Sequence, residues 1–142
     1  MVIAIIGVLS SIVFVSVGAA RSKARDAVRK SDLKQIAIAL EMFYDKNGSY
    51  PRTAGWCTQI SNPTSNWGPD FQSDIAEWLP NVPLDPKFAG TYQDYFYRNI
   101  DDHSYSLYAE LEGEDVANDG LSGCARIGGI NNEYDYRYPN SF

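Results

Sequence analysis

The first twenty residues carry no charged side chain, and no proline occurs before Pro51. A long apolar run without a breaker reads as a helix, and few folds accommodate one at this position. Residues 1–20 (MVIAIIGVLSSIVFVSVGAA) hold fifteen apolar residues, two Gly and three Ser. As a helix they extend roughly 30 Å, the hydrocarbon thickness of a bilayer. A signal peptide fits poorly, since no basic region precedes the run and it is long for a signal core. The expectation is a transmembrane half-helix. Ala4, Gly7, Ser11 and Gly18 fall on one stripe of it. Small residues let helix backbones approach closely where lipid offers no hydrophobic contrast, so this half reads as an assembly helix.

Nothing stops the helix at Ala20. Residues 21–46 contain neither Pro nor Gly, and Leu33, Ile36, Ala37, Leu40, Phe43 and Tyr44 recur at spacings of three and four. That is the pattern of one apolar face, so residues 21–47 form an amphipathic half. Asn47-Gly48 with Pro51 close behind marks the end. The spacing predicts one helix of about 46 residues, roughly 70 Å long. Charge follows the same division. Residues 21–34 hold six basic and two acidic side chains, a basic collar, while residues 35–142 carry a net charge of −10. A body this acidic has little with which to neutralise phosphates, which argues against a nucleic-acid binder. The collar is expected to meet acidic residues on neighbouring heads.

Residues 48–142 form the globular head. Residues 48–90 read as an irregular region, broken by Pro, Gly, Ser and Asn and interleaved with Trp56, Trp67, Phe71 and Trp78. Those aromatics either pin a long loop to the core or present a carbohydrate-stacking surface. Residues 71–79 suit one or two helical turns with Ile75, Trp78 and Leu79 on one face. Residues 91–142 read as an antiparallel sheet. Strands are expected at 91–98 and 104–111, joined by a five-residue loop at 99–103, with Tyr105, Leu107, Ala109 and Leu111 on one face. Residues 126–138, with Tyr134, Tyr136 and Tyr138 at period two, offer a further strand. The fold class is α+β: a long N-terminal helix laid on a small antiparallel sheet.

The apolar block VIAIIGVL at residues 2–9, the charged helix after it and the exit Asn47-Gly48-Ser49-Tyr50-Pro51 resemble the type IV pilin and type II secretion pseudopilin family. The resemblance continues more loosely through Leu79-Pro80 and Pro83-Leu84-Asp85-Pro86 into the Tyr-rich strands. Family members begin with a basic leader ending in Gly, then a phenylalanine and a Thr-Leu-Ile-Glu-like stretch. The present chain starts inside the apolar block, so leader, cleavage site, N-methylated first residue and assembly glutamate are expected to lie outside it. As written, it is not expected to be a prepilin peptidase substrate. The positive-inside rule alone would keep the head beside the basic collar in the cytoplasm. The resemblance instead implies an exported head.

Cys57 and Cys124 are the only cysteines, without CxxC spacing or companion histidines, which argues against zinc and redox chemistry. Either they pair or they are two buried thiols. A bridge would close a loop of about 68 residues and restrict the unfolded chain by roughly 4 kcal/mol in the entropic account. Glu114, Asp115, Asn118 and Asp119 supply hard oxygens that suit Ca²⁺, and the resemblance to major pseudopilins points the same way. Their spacing matches no EF-hand, and a solvated acidic turn is the alternative; no other cofactor is expected. His103 is the sole histidine and falls in the expected hairpin loop, and GxGxxG, Walker and HExxH patterns are absent. The paired carboxylates Asp101-Asp102 and Glu114-Asp115 read as solvated. The chain is not read as an enzyme.

The expected function is a structural subunit whose helices polymerise into a type IV pilus-like filament while the heads coat the outside. The alternatives are a major-type pseudopilin of a type II secretion system and a membrane-anchored carbohydrate-binding module. The expected partners are further copies of the chain, the inner membrane and the pilus or secretion assembly machinery. The corresponding location is the bacterial inner membrane before assembly, then an extracellular pilus or periplasmic pseudopilus.

Overall fold

The computed structural model describes the backbone of residues 2–53, 57–60, 71–87, 94–112 and 136–138, and side chains within 17–53, 57–60, 71–87 and 94–112. Six elements follow in order: α1 (Val2–Asn47), β1 (Thr58–Gln59), α2 (Phe71–Ile75), β2 (Phe96–Asp101), β3 (Ser104–Ala109) and β4 (Tyr136–Tyr138). Helix α1 is continuous over 46 residues, as its unbroken sequence requires. It stops at Gly48, whose φ of +74° is the left-handed conformation that glycine adopts without a Cβ penalty. The Gly48 N–H closes the last turn on the Tyr44 carbonyl at 2.7 Å.

The four strands lie in sequence order, and every neighbouring pair is antiparallel. Helix α1 crosses the β3–β4 side of the sheet and also meets α2. Along α1, Leu33, Ile36 and Leu40 are fully buried, with Ala37 and Ala39 nearly so. They pack with Tyr95, Tyr97, Tyr105, Leu107 and Ala109, and Phe71 and Ile75 of α2 complete the same core. At about 1.5–3 kcal/mol for each fully buried Leu or Ile, this seam is the main hydrophobic stabilisation of the head on its helix. The α+β arrangement is therefore present, with Leu33, Ile36, Ala37 and Leu40 buried and Phe43 and Tyr44 half-buried at its edge.

Two details of the sheet differ from expectation. Strand β2 begins at Phe96 and runs through Asp101, so the hairpin turn is only Asp102 and His103. The polar residues that suggested a five-residue loop are accommodated by a register shift between Asn99 and Asp101. There, Asn99 Nδ2 donates to the Asp101 carbonyl at 3.1 Å, and the His103 N–H donates to Asp101 Oδ1 at 2.8 Å. Expected strand residues 91–93 lie outside the described residues. The second difference is on β3. Tyr105, Leu107 and Ala109 face the helix side, as their alternation predicts, but Ser106 and Tyr108 are buried too. Tyr108 packs with Phe96 and Cys57 in a second small cluster, so the outer face of the sheet is also covered.

Candidate functional site

The part of the structure where charge concentrates is the junction between the collar of α1 and the head. Asp26, Arg29, Leu33, Ile36 and Leu40 recur at three- and four-residue spacing, so two ionisable residues occupy the buried stripe of the helix. The Arg29 side chain is 3% exposed. Its guanidinium grips Asp85 bidentately, Nε to Oδ2 at 2.7 Å and Nη2 to Oδ1 at 3.1 Å. Nη1 donates to Asp26 Oδ1 at 2.7 Å and to Glu112 Oε1 at 3.0 Å. Arg25 makes its own fork on Glu112, both bonds 2.5 Å, and Lys87 Nζ lies 2.6 Å from the same carboxylate. The Glu112 backbone N–H returns to Asp26 Oδ1 at 2.9 Å.

The result is a closed network of three cations and three carboxylates tying one face of α1 to the loop after β3 and to the Pro-rich segment before β2. Forked Arg–carboxylate pairs fix orientation as well as proximity. Hydrogen bonds from Arg25, then from Lys87 and Arg29, hold the Glu112 carboxyl well below the usual range, against the opposing effect of burial. For Arg29, burial works against the charge, yet the bonds it donates to Asp85 and Asp26 outweigh it and raise the pKa. One turn further on, Tyr95 donates its hydroxyl to Asp32 Oδ2 at 2.6 Å. Burial raises the Asp32 carboxyl, and burial followed by the Asp32 bond raises the Tyr95 phenol. An open cleft of about 340 Å³ borders the network, lined by Arg29, Asp85, Lys87, Glu110, Leu111 and Glu112. Its charged walls are already engaged with one another.

A second polar contact closes the lower end of the helix. Glu41 accepts hydroxyl hydrogen bonds from Tyr50 and Tyr105, each at 3.0 Å, and these rings meet edge-on with centroids 4.6 Å apart. Burial and the Glu41 bond push the Tyr50 phenol up to about 12. Tyr44 meets His103 Nδ1 at 2.9 Å. His103 is exposed in its hairpin turn, and Asp102 beside it pairs with Arg52. Among the described residues no group of three or more His, Cys, Asp or Glu is arranged to hold a metal ion.

No protein-family model matches the chain, and no solved structure does. A curated protein does: the chain is 34% identical over 87 residues to the type II secretion system core protein G of Pseudomonas aeruginosa, a stretch covering 60% of each chain. That match agrees with the resemblance to the pilin and pseudopilin family read from the sequence. The chain thus spans less than two thirds of the length of the relative it matches.

The collar behaves differently from the sequence expectation. Arg25 and Arg29, expected to meet neighbouring heads, are committed to their own head. The signal was available: Arg29 stands one turn before Leu33 on the same stripe, a position that faces inward. Asp85, in the Pro83–Pro86 stretch, supplies its main partner. Of the assembly-stripe residues, Ala4, Gly7 and Ser11 lie in α1 but their side chains fall outside the described residues. Gly18 is exposed, with open space where a Cβ would be. Cys57 is 2% exposed and no described cysteine is free, while Cys124 lies outside the described residues. Glu114, Asp115, Asn118 and Asp119 also lie outside them. Phe71 is buried in the core, and Trp78 packs against it edge-on to Phe43, so these two aromatics are packing residues. Trp56 and Trp67 fall outside the described residues. Among the described residues no helix is long and apolar enough to cross a membrane, and the side chains of residues 1–16 are not among them.

Proposed function

We propose that this chain is a structural subunit that assembles through α1 into a pilin-type filament, its heads carried on the outside. One observation carries the reading: an unbroken helix of 46 residues leaves its head behind well before its N-terminal end. Residues 17–21 are all exposed, and among the described residues the first buried one is Asp26. The uncharged half beyond needs a medium that tolerates it, first a bilayer and then sister helices, and both suit residues 1–20. The matched relative, named as a core protein of type II secretion, favours a pseudopilus at the inner membrane and periplasm over a surface pilus as the setting.

In this reading the junction network has a structural task, to transmit the orientation of the rod to the head as a rigid unit. Pairing of Cys57 with Cys124 suits export to an oxidising compartment; electrophoretic mobility with and without reductant tests it. Titration with Ca²⁺ separates a hard-oxygen site at Glu114, Asp115, Asn118 and Asp119 from a solvated turn. The central test is cross-linking of the full chain in membranes. Rod-to-rod links and filaments in micrographs are the expected result; a chain that stays solitary in detergent and in membranes overturns the reading.

A further inference from the structure

Of the nine asparagines in the chain, only Asn47 precedes a glycine, and the pair closes α1. With no side chain on the following residue, little shields the asparagine amide carbon from the next backbone nitrogen. Attack of the Gly48 nitrogen on Asn47 Cγ closes a five-membered succinimide and expels the side-chain amide as ammonia. Water then opens the ring at either carbonyl and leaves aspartate or isoaspartate. Water is the only reagent consumed. In the folded chain both reactants are occupied. The Gly48 N–H is bonded to the Tyr44 carbonyl at 2.7 Å, and Asn47 Nδ2 donates to the Phe43 carbonyl at 2.9 Å. The Asn47 amide is thus drawn back along the helix, the direction in which helical side chains lean, while the nucleophile is held by a different carbonyl. Yet both residues are exposed, and a Cβ placed at Gly48 would meet nothing within 4 Å. Water reaches the site, and fraying of the last turn frees nitrogen and amide together.

We propose that Asn47 is a deamidation site gated by fraying of α1, and that the isoaspartate formed there uncouples the rod from the head. Isoaspartate routes the main chain through its Cβ and so adds one carbon between residues 47 and 48. The Gly48 N–H then loses the geometry in which it caps the Tyr44 carbonyl. The new carboxylate stands by the last unpaired carbonyls of the helix and near exposed Asp45, the wrong charge for a helix C-terminus. Just downstream, the bonds from the Tyr50 N–H to Asp102 and from the Tyr97 hydroxyl to Pro51 tie the exit to the sheet, and both must follow the displaced chain.

The test incubates the full chain in detergent, folded or in urea, and locates isoaspartate by peptide mass spectrometry and enzymatic methylation. Conversion at Asn47 is expected in both, at least about tenfold slower in the folded chain. Tyr97→Phe, which releases the Pro51 carbonyl, is expected to raise the folded rate about threefold and leave the rate in urea unchanged. If that variant does not fold, hydrogen exchange of the unaltered chain serves instead, with the Gly48 amide proton exchanging well before those of residues 33–40. The isolated isoaspartate chain is expected to be cut by trypsin after exposed Arg52 at least about fivefold faster than the unaltered one. Asn47→Gln, which cannot close the five-membered ring, gains no such cutting on the same incubation. Equal rates folded and in urea, no conversion at Asn47 in the folded chain, or a folded rate that Tyr97→Phe leaves unchanged overturn the proposal. So do a Gly48 amide protected as strongly as the core and an isoaspartate chain cut no faster than the unaltered one.

Discussion

The stretch of α1 around Arg29 and the stretch at residues 33–40 face the same head from the same stripe, yet they hold it by opposite means. The upper contact is almost wholly ionic, with Arg29 shared among Asp85, Asp26 and Glu112. The lower one is apolar, with Leu33, Ile36 and Leu40 at zero exposure. Apolar burial is non-directional and stabilises roughly by area. A buried ion network gives little net stability, because desolvation cancels much of the attraction, but it tolerates few geometries. The lower seam thus supplies the adhesion and the upper network supplies the angle.

Breaking the network by half should produce the largest effect. Arg29→Met strands Asp85 and takes a cation from Asp26 and Glu112, and is expected to cost about 3–5 kcal/mol in urea unfolding followed by tryptophan fluorescence. Adding Asp85→Leu to Arg29→Met should restore part of that loss, since an apolar pair of similar volume removes one stranded charge. Leu40→Ala tests the other contact and is expected to cost about 3 kcal/mol, through lost burial and a cavity in the core that Leu40 shares with the sheet. Tyr95→Phe keeps the ring but removes the bond to Asp32, for about 1–2 kcal/mol.

Acidity sharpens the contrast further. The folded Glu112 pKa lies below its ordinary 4.5, so its share of stability is present above that value and is lost as pH falls beneath it. Asp32 has the opposite sign: its folded pKa is raised, so protonation on acidification favours the folded chain. Glu112→Gln should therefore flatten the acid limb of a stability-against-pH curve, where Leu40→Ala lowers the whole curve without changing its shape. At the alkaline end Tyr50 ionises near 10 when unfolded and about 12 when folded, so stability falls between those values, read by tyrosinate absorbance. The smallest effect belongs to the exposed Lys46–Glu77 pair, whose removal by Glu77→Ala should cost under about 1 kcal/mol and vanish in high salt.

Much of this architecture was legible from periodicity. The absence of breakers marked α1 to within a residue of Asn47, and alternation in β3 marked its helix-side face, because both patterns are local. The reach of β2 through Asn99 and Asp101 was not legible, since a bulge stabilised by side-chain-to-backbone bonds looks like a loop in composition. Burial of Tyr108 on the far face depends on Phe96 and Cys57, residues distant in sequence that no local pattern connects. The junction was legible in one half only. Arg29 carries its inward position in its spacing from Leu33, but its partners Asp85 and Glu112 stand 56 and 83 residues away.

The exit of α1 is sewn to the sheet by more than its cap. Just past Gly48 the Tyr50 N–H donates to the Asp102 carbonyl at 3.2 Å, and the Tyr97 hydroxyl donates to the Pro51 carbonyl at 2.7 Å. A tug along the rod is therefore delivered to the hairpin corner and to the start of β2 together. The load is thus divided between two points of the sheet that stand at opposite ends of β2, so the joint between rod and globe does not hang on a single peptide.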